Sequence, residues 1–325
     1  MSDNEDWEFP REAQPKPKDC AFELDRCLSS VLALRAEIPE DAFTASVLGT
    51  KRGGNGVMIG EDGLVLTIGY LITEAETVWL TSNAGTVVPA HVVGYDQTTG
   101  FGLVQALGRL GVPAMALGTA RDTDVGTRAV VAGHGGRAHA LMAHVVSKRE
   151  FAGYWEYVLD EAIFTAPPHP SWGGAAMIGE DGSLQGIGSL FIQEARAGGN
   201  QLEGNMIVPI DLLPPILDDL VRFGRVDRPP RPWLGMYTTE AGEALIVAGL
   251  AEGAPAHEAD VQVGDVVLEV DGAPAADLAD LFRKIWALGP AGAEIPLTVL
   301  RDGSEIRLRL NSADREDFLK SPQLH

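Results

Sequence analysis

From about Ala42 to Val208 the chain is written as short apolar runs broken by turn residues. Gly56-Val-Met-Ile59, Leu64-Val-Leu-Thr67, Thr77-Val-Trp-Leu80, Thr86-Val-Val88 and His91-Val-Val-Gly94 read as strands, with turns at Asp62-Gly63 and Asn83-Ala-Gly85. A second set begins at Gly126-Thr-Arg-Ala-Val-Val-Ala132 and continues from Gly182 to Phe191. Strands at this spacing predict barrels or a sandwich. Ahead of them, Phe22, Leu24, Leu28 and Leu32 recur with a helical period and predict a short amphipathic helix over 21–35. A second helix is predicted from Pro209 to Phe223. Pro209 and Asp211 suit its start, and Leu212, Leu213, Ile216, Leu217 and Leu220 form its apolar stripe.

Gly224 to Pro232 mixes prolines and charges and reads as a linker. Beyond it lie a strand at Ala244-Leu-Ile-Val-Ala248, a helix at about Ala276–Leu288 and a hairpin from Ile295 to Leu310 across Asp302-Gly303. The predicted organisation is a tail and short helix over 1–37, a β-rich domain over 38–223, a linker over 224–232, a further domain over 233–312 and a tail over 313–325. Residues 1–20, rich in charge and proline, are expected to be poorly ordered.

Composition agrees with this layout. The 325 residues are 45% hydrophobic with 38 Gly and 20 Pro, enough for several compact β-rich domains. The net charge of -21 repels phosphate backbones and anionic lipid, so neither nucleic acid nor a membrane surface is an expected partner. On a helix, Cys20 and Cys27 would lie about 10 Å apart along the axis. A disulfide needs Cα atoms within about 7 Å, so free thiols are expected. With no secretory signal or long apolar segment visible, the expected location is cytoplasmic.

Five stretches in order resemble one family. They are Gly54 to Thr67, Val92-Val-Gly-Tyr-Asp-Gln-Thr-Thr99, Gly173-Gly174 with Gly186-Ile-Gly188, Ile207-Val-Pro-Ile-Asp211, and Val263-Gly-Asp-Val-Val-Leu268. Together they resemble an HtrA/Deg-type protein over roughly residues 40–310. The resemblance implies a mostly β fold, a chymotrypsin-like double β-barrel followed by a PDZ domain. It also implies a trimeric homo-oligomer and makes a periplasmic location the alternative.

The same resemblance locates the catalytic places, and none holds its usual residue. The T-x-x-H pattern reads Thr67-Ile-Gly-Tyr70, so Tyr70 stands for the histidine. Gly100 stands for the aspartate, in Asp96-Gln-Thr-Thr-Gly-Phe-Gly-Leu-Val104. Trp172 stands immediately before Gly173-Gly174, where the nucleophilic serine belongs. An indole offers only an N–H donor. A phenol with pKa near 10 is a poor base at neutral pH. The expected function is therefore non-catalytic binding of peptides or unfolded clients in protein quality control, as a scaffold or as a regulator of an active relative.

The alternative is an active serine endopeptidase with a rearranged site, using Ser171 as nucleophile. His169 is close to Ser171 in sequence but poorly placed as its base, and Pro170 stiffens the turn. His134, His139 and His144, spaced by five, point to opposite faces of a strand and read as ordinary barrel histidines. A hairpin at Gly135-Gly136 would be needed to bring two together. Neither metal nor cofactor is expected.

In the PDZ-like region, Trp233-Leu234-Gly235-Met236 resembles a carboxylate-binding loop whose amides receive a peptide C-terminus. Leu281 and Ile285, one turn apart, either line the peptide groove or belong to the core. The segment from Met236 to Ala244 is short, so weak binding is expected.

Overall fold

The computed structural model describes residues 7–193, 195 and 202–320, and the fold is mostly β. The chain divides into two compact units. One comprises residues 1–149, 161–226 and 320–325, and the other 150–160 and 227–319.

The first unit holds two closed six-stranded barrels. The first barrel contains β1 (Val31–Glu37), β2 (Lys51–Met58), β3 (Leu64–Ile68), β4 (Thr77–Thr81), β5 (Val87–Tyr95) and β6 (Phe101–Ala106), ordered β1-β2-β3-β6-β5-β4. The second contains β7 (Arg128–Ala132), β8 (Ala140–Gly153), β9 (Tyr157–Ala166), β10 (Ala176–Ile178), β11 (Leu184–Ile192) and β12 (Gly204–Pro209), ordered β10-β11-β12-β9-β8-β7. Closure removes free strand edges.

The helix expected over 21–35 is half strand. Helix covers only Leu24–Ser29, and Val31 opens β1, which pairs with both β2 and β4. Leu32, Leu34 and Ala36 alternate with Ala33, Arg35 and Glu37, a period of two that fits a half-buried strand. Residues 7–20, expected to be poorly ordered, are tied down. The Phe9 N–H donates to the Ala138 carbonyl at 2.9 Å, and that of Met142 to the Ala13 carbonyl at 3.0 Å. Residues 1–6 lie outside the described residues, as do 321–325 of the expected C-terminal tail. Cys20 and Cys27 are free thiols. The predicted second helix runs from Pro214 to Phe223, preceded by a 3-10 turn at Ile210–Leu212, and ends at Gly224 in the left-handed region.

The second unit contains β13 (Met236–Ala241), β14 (Ala244–Leu250), β15 (Val266–Val270), β16 (Ala273–Pro274), β17 (Glu294–Arg301) and β18 (Ser304–Asn311). Its sheet runs β13-β14-β15-β17-β18, with β16 added to β15. Asp271-Gly272 and Asp302-Gly303 have positive φ at both residues, the turn geometry that suits two-residue hairpins. The helix Leu278–Ala287 is capped by Asp277, whose side chain accepts from the Asp280 N–H. It buries Leu278, Leu281, Phe282 and Ile285 in this unit's core. Leu281 and Ile285 are fully enclosed, in a cluster that also takes in Val158.

Residues 150–160, at the tip of the β8–β9 hairpin, were expected within the barrel segment 38–223. They cluster instead with 227–319. Val158 enters the second unit's core, and Arg283 bridges Glu150 and Asp160 across the base of the tip.

Candidate functional site

β3 ends at Ile68 and turns through a 3-10 segment, Gly69–Leu71, that carries Tyr70. Arg52 holds this turn by donating to the carbonyls of Tyr70 (2.8 Å) and Thr73 (2.9 Å). The Gly69 N–H donates to the Gly100 carbonyl at 2.7 Å, which sets the Tyr70 turn beside the β5–β6 connection. The Tyr70 hydroxyl donates to the Ser189 carbonyl at 2.8 Å, with the Trp172 side chain close enough to oppose the rise in its pKa. A methyl group on Gly173 would lie 2.7 Å from that hydroxyl. Tyr70, Gly100 and the Trp172–Gly173 segment are thus neighbours. Burial pushes the Tyr70 phenol far above its ordinary pKa, so it stays protonated. Trp172 is only partly buried and tilts against Phe191 with ring centroids 5.8 Å apart.

Ser171 and His169 are adjacent but not arranged as nucleophile and base. His169 Nδ1 accepts the backbone N–H of Ser171 at 3.1 Å, while Ser171 Oγ accepts from Asn55 Nδ2 at 3.2 Å. His169 Nε2 lies 2.9 Å from the His139 carbonyl and 3.2 Å from the Gly133 N–H, so both ring nitrogens are engaged by backbone groups. His169 is 0% exposed, and Trp7 and Phe9 meet its ring edge-to-face. Burial pushes its pKa down to about 4, so the ring is neutral at physiological pH.

Sequence reasoning missed Asn55, a polar residue between two glycines on β2 and only 2% exposed. Its Nδ2 donates to the Ser171 carbonyl (2.9 Å) and the Gly173 carbonyl (3.1 Å), and its Oδ1 accepts from the His134 N–H (2.8 Å). Its own N–H donates to the Gly173 carbonyl at 2.8 Å. Asn205 grips the other end of the loop, accepting the His169 N–H at 2.6 Å. The approach is so close that a Cβ on Gly174 would lie 1.8 Å from the Asn55 carbonyl oxygen. The signal for Asn55 was the Gly54-Asn55-Gly56 string itself, a polar residue with close-packing neighbours inside an apolar strand.

The predicted histidine trio does not converge. His134 and His139 flank the Gly135-Gly136 turn, His139 packs edge-to-face on Trp7, and His144 is exposed farther along β8. Among the described residues no group of three or more histidine, cysteine or acidic side chains is placed to hold a metal.

In the second unit the amides of Leu234, Gly235 and Met236 converge as the sequence implied. Gly235 takes a positive φ of 69° to aim them. They meet the Glu156 carboxylate. Leu234 donates at 3.1 Å to both oxygens, Gly235 at 2.7 Å and Met236 at 3.1 Å. Burial pushes the Glu156 pKa up to about 7, against the pull of the Leu234, Met236 and Gly235 amides and of Arg315. Trp233, expected in the peptide-binding set, is instead buried. It packs on Phe318 with ring centroids 4.9 Å apart and exchanges both backbone hydrogen bonds with Ala313.

Comparison with known proteins agrees with this architecture. Residues 54–187 match the family described as trypsin-like peptidase domain, and residues 232–311 match the PDZ domain family. The chain is 27% identical over 279 residues to a Probable periplasmic serine endoprotease DegP-like of Pseudomonas fluorescens, covering 81% of this chain and 57% of that protein. It is 23% identical over 271 residues to Serine endoprotease DegS of Escherichia coli, covering 79% and 75%. It thus spans little more than half the length of the DegP-like relatives. Its fold is similar to the HtrA-type protease AlgW with decapeptide, at TM-score 0.53 and 19% identity over 92% of this chain and 98% of that one. It is also similar to the serine endoprotease from Yersinia pestis, at TM-score 0.51 and 20% identity over 89% and 95%. The chain therefore carries a trypsin-like peptidase domain followed by a PDZ domain.

Two predictions follow from the loop geometry. Asn55→Ala strands the His134 N–H and the Ser171 carbonyl and should cost about 2–4 kcal/mol in denaturant unfolding. For His169, the unfolded ring titrates near its ordinary 6.5 and the folded ring at about 4. Between these values the unfolded state binds the extra proton. Stability is therefore full above pH 6.5 and falls by about 3 kcal/mol as the pH drops through 4. Glu156 acts oppositely, since its folded value of about 7 exceeds the ordinary 4.5 and its contribution is lost as pH rises. The His169 effect is accordingly read as the difference between the native chain and His169→Gln across pH 4 to 7. Parallel curves would contradict it.

Proposed function

We propose that this chain is a non-catalytic HtrA-like protein that binds peptide or protein C-termini and unfolded clients, serving protein quality control as a scaffold or as a regulator of an active relative. The observation that carries the reading is the Tyr70 hydroxyl, which is buried and donates to the Ser189 carbonyl at 2.8 Å in the place of a catalytic base. The two places that should exchange a proton during acyl transfer hold a phenol and an indole, and Gly100 offers no carboxylate to orient a base. Loss of the nucleophile alone can cost about a millionfold in kcat. Pro170 adds a further deficit. In serine proteases of this type the oxyanion hole uses the N–H of the nucleophile residue and that of the residue two before it, and proline has none.

The alternative, a working serine endopeptidase, is favoured by the names of the relatives, which are endoproteases. Ser171 is its candidate nucleophile. Against it stands the geometry in which His169 Nδ1 takes the Ser171 backbone N–H rather than its hydroxyl. The AlgW structures with decapeptide and tripeptide support peptide binding by a protein of this architecture. The family's trimer remains part of the proposal. The relatives' printed names favour a periplasmic location over the cytoplasmic one expected from the sequence. Among the described residues no helix is long and apolar enough to cross a membrane.

The full chain should leave unfolded casein intact and should not react with a fluorophosphonate probe. Casein cleavage that disappears in Ser171→Ala would establish the endopeptidase reading instead. Trp172→Ser should remain inactive, because neither base nor carboxylate is restored. It should also lose about 1–3 kcal/mol of stability through the missing indole contacts. Protease activity in that single variant would show that the cleft still holds a usable base.

A further inference from the structure

The amide cradle of Leu234, Gly235 and Met236 already has an occupant, and three features of Glu156 make it a built ligand rather than a passing contact. All three N–H groups donate to one carboxylate, which is 7% exposed. Charge-assisted bonds of this kind are about twice as strong as neutral ones. The backbone of Glu156 lies at φ 61°, a left-handed conformation that glycine or asparagine adopts more cheaply. At this turn a glutamate is the costly choice for the backbone and the fitting choice for the cradle.

The approach to the cradle is occupied as well. The Thr238 N–H, two residues after Met236 and so on the same edge of β13, donates to the Tyr154 carbonyl at 3.2 Å. The turn from Tyr154 to Glu156 therefore takes the Thr238 N–H of that edge and places a carboxylate in the nest, the two contacts with which a C-terminal peptide begins to add to a strand edge. The tip is held further by the Tyr154–Tyr237 ring contact, with centroids 6.0 Å apart, by Val158 in the core and by Arg283 on Glu150 and Asp160.

We propose that residues 150–160 are the resident ligand of the PDZ cradle, with the Glu156 side chain standing in for a chain-terminal carboxylate, so that any incoming C-terminus binds only by displacing this hairpin tip. This rests on the reading that the cradle accepts C-terminal carboxylates, and it adds the regulation of that site. The occupant and the visitor compete for the same three N–H groups and the same strand edge. A ligand that captures the cradle therefore releases residues 150–160.

The test uses the full chain and two variants. Glu156→Ala removes the carboxylate. Glu156→Gly does so while relieving the positive φ, and so keeps the turn if the alanine variant folds poorly. The probes are a library of random hexapeptides with free C-termini and the same library amidated. Hydrogen exchange is followed at the amides of 234–236 and 150–160. In both variants exchange should rise at least tenfold at these amides, and the free-acid library should bind at least tenfold more tightly than to the native chain. The amidated library should gain nothing.

Unchanged exchange in the glycine variant, or equal free-acid affinity in native and variant chains, would overturn the resident-ligand proposal. Faster exchange with no binding of the free-acid library to any chain would support residency and sink the capture of C-termini. Equal affinity for free and amidated peptides would also sink that capture, leaving the exchange result to decide residency.

Discussion

The close approach of β2 to the loop 169–174 governs the first unit. Two backbones meet there at a distance that forbids a Cβ on Gly174 and crowds one on Gly54. Asn55 converts that proximity into hydrogen bonds on both sides, while Asn205 secures the loop from β12. Of the Gly173-Gly174 pair that looks like the frame of an active serine, Gly174 is demanded by this packing and Gly173 by the Tyr70 hydroxyl, 2.7 Å from where its Cβ would lie. Frame and chemistry are therefore separable. The glycines answer a steric constraint that persists whatever residue precedes them, and Trp172 can stand in the nucleophile's place without disturbing the frame.

The same separation explains what could be read from the sequence. Barrel strands were legible because β-branched runs and Asp-Gly or Asn-containing turns are local signals. Tyr70, Gly100 and Trp172 were legible as a group only through the resemblance, which places them in Thr67-Ile-Gly-Tyr70, in Asp96 to Val104 and just before Gly173-Gly174. The segment Val31–Glu37 was misread because Leu24, Leu28 and Leu32 satisfy a helical period. The choice between periods is made by pairing with β2 and β4, far along the chain. Trp233 looked like part of a binding loop, yet its ring packs on Phe318 beyond the expected domain end. Nothing near Glu156 announces that its carboxylate meets amides about eighty residues later, and nothing local marks its positive φ.

Burial drives His169 and Glu156 toward their neutral forms, with different outcomes. His169 surrenders its charge because it is buried among aromatic rings, with the Ser171 and Gly133 N–H groups facing its nitrogens and one carbonyl acceptor. It works as a neutral strut, its two nitrogens spent on the backbone. Glu156 is surrounded by three convergent donors with Arg315 in electrostatic range, and the opposing effects leave its pKa at about 7. Its anion is held but not deeply trapped. A buried carboxylate so balanced can leave its site at less cost than one locked in a tight ion pair.

An amide nest recognises a carboxylate, not the chain that bears it. The contest between Glu156 and an external C-terminus is then decided by effective concentration and by what else each partner contributes. A tethered side chain on a short segment competes at an effective concentration on the order of millimolar. An external peptide with micromolar intrinsic affinity would then appear about a thousandfold weaker, because the competent, empty cradle is only a small fraction of the population. The visitor overcomes this through side chains beyond the carboxylate. In the short sheet of this unit, such contacts must come from the surface that Tyr154 and Tyr237 now cover. Selectivity would therefore be set by the residues of 150–160 that a ligand has to replace, as much as by the groove that remains after they leave.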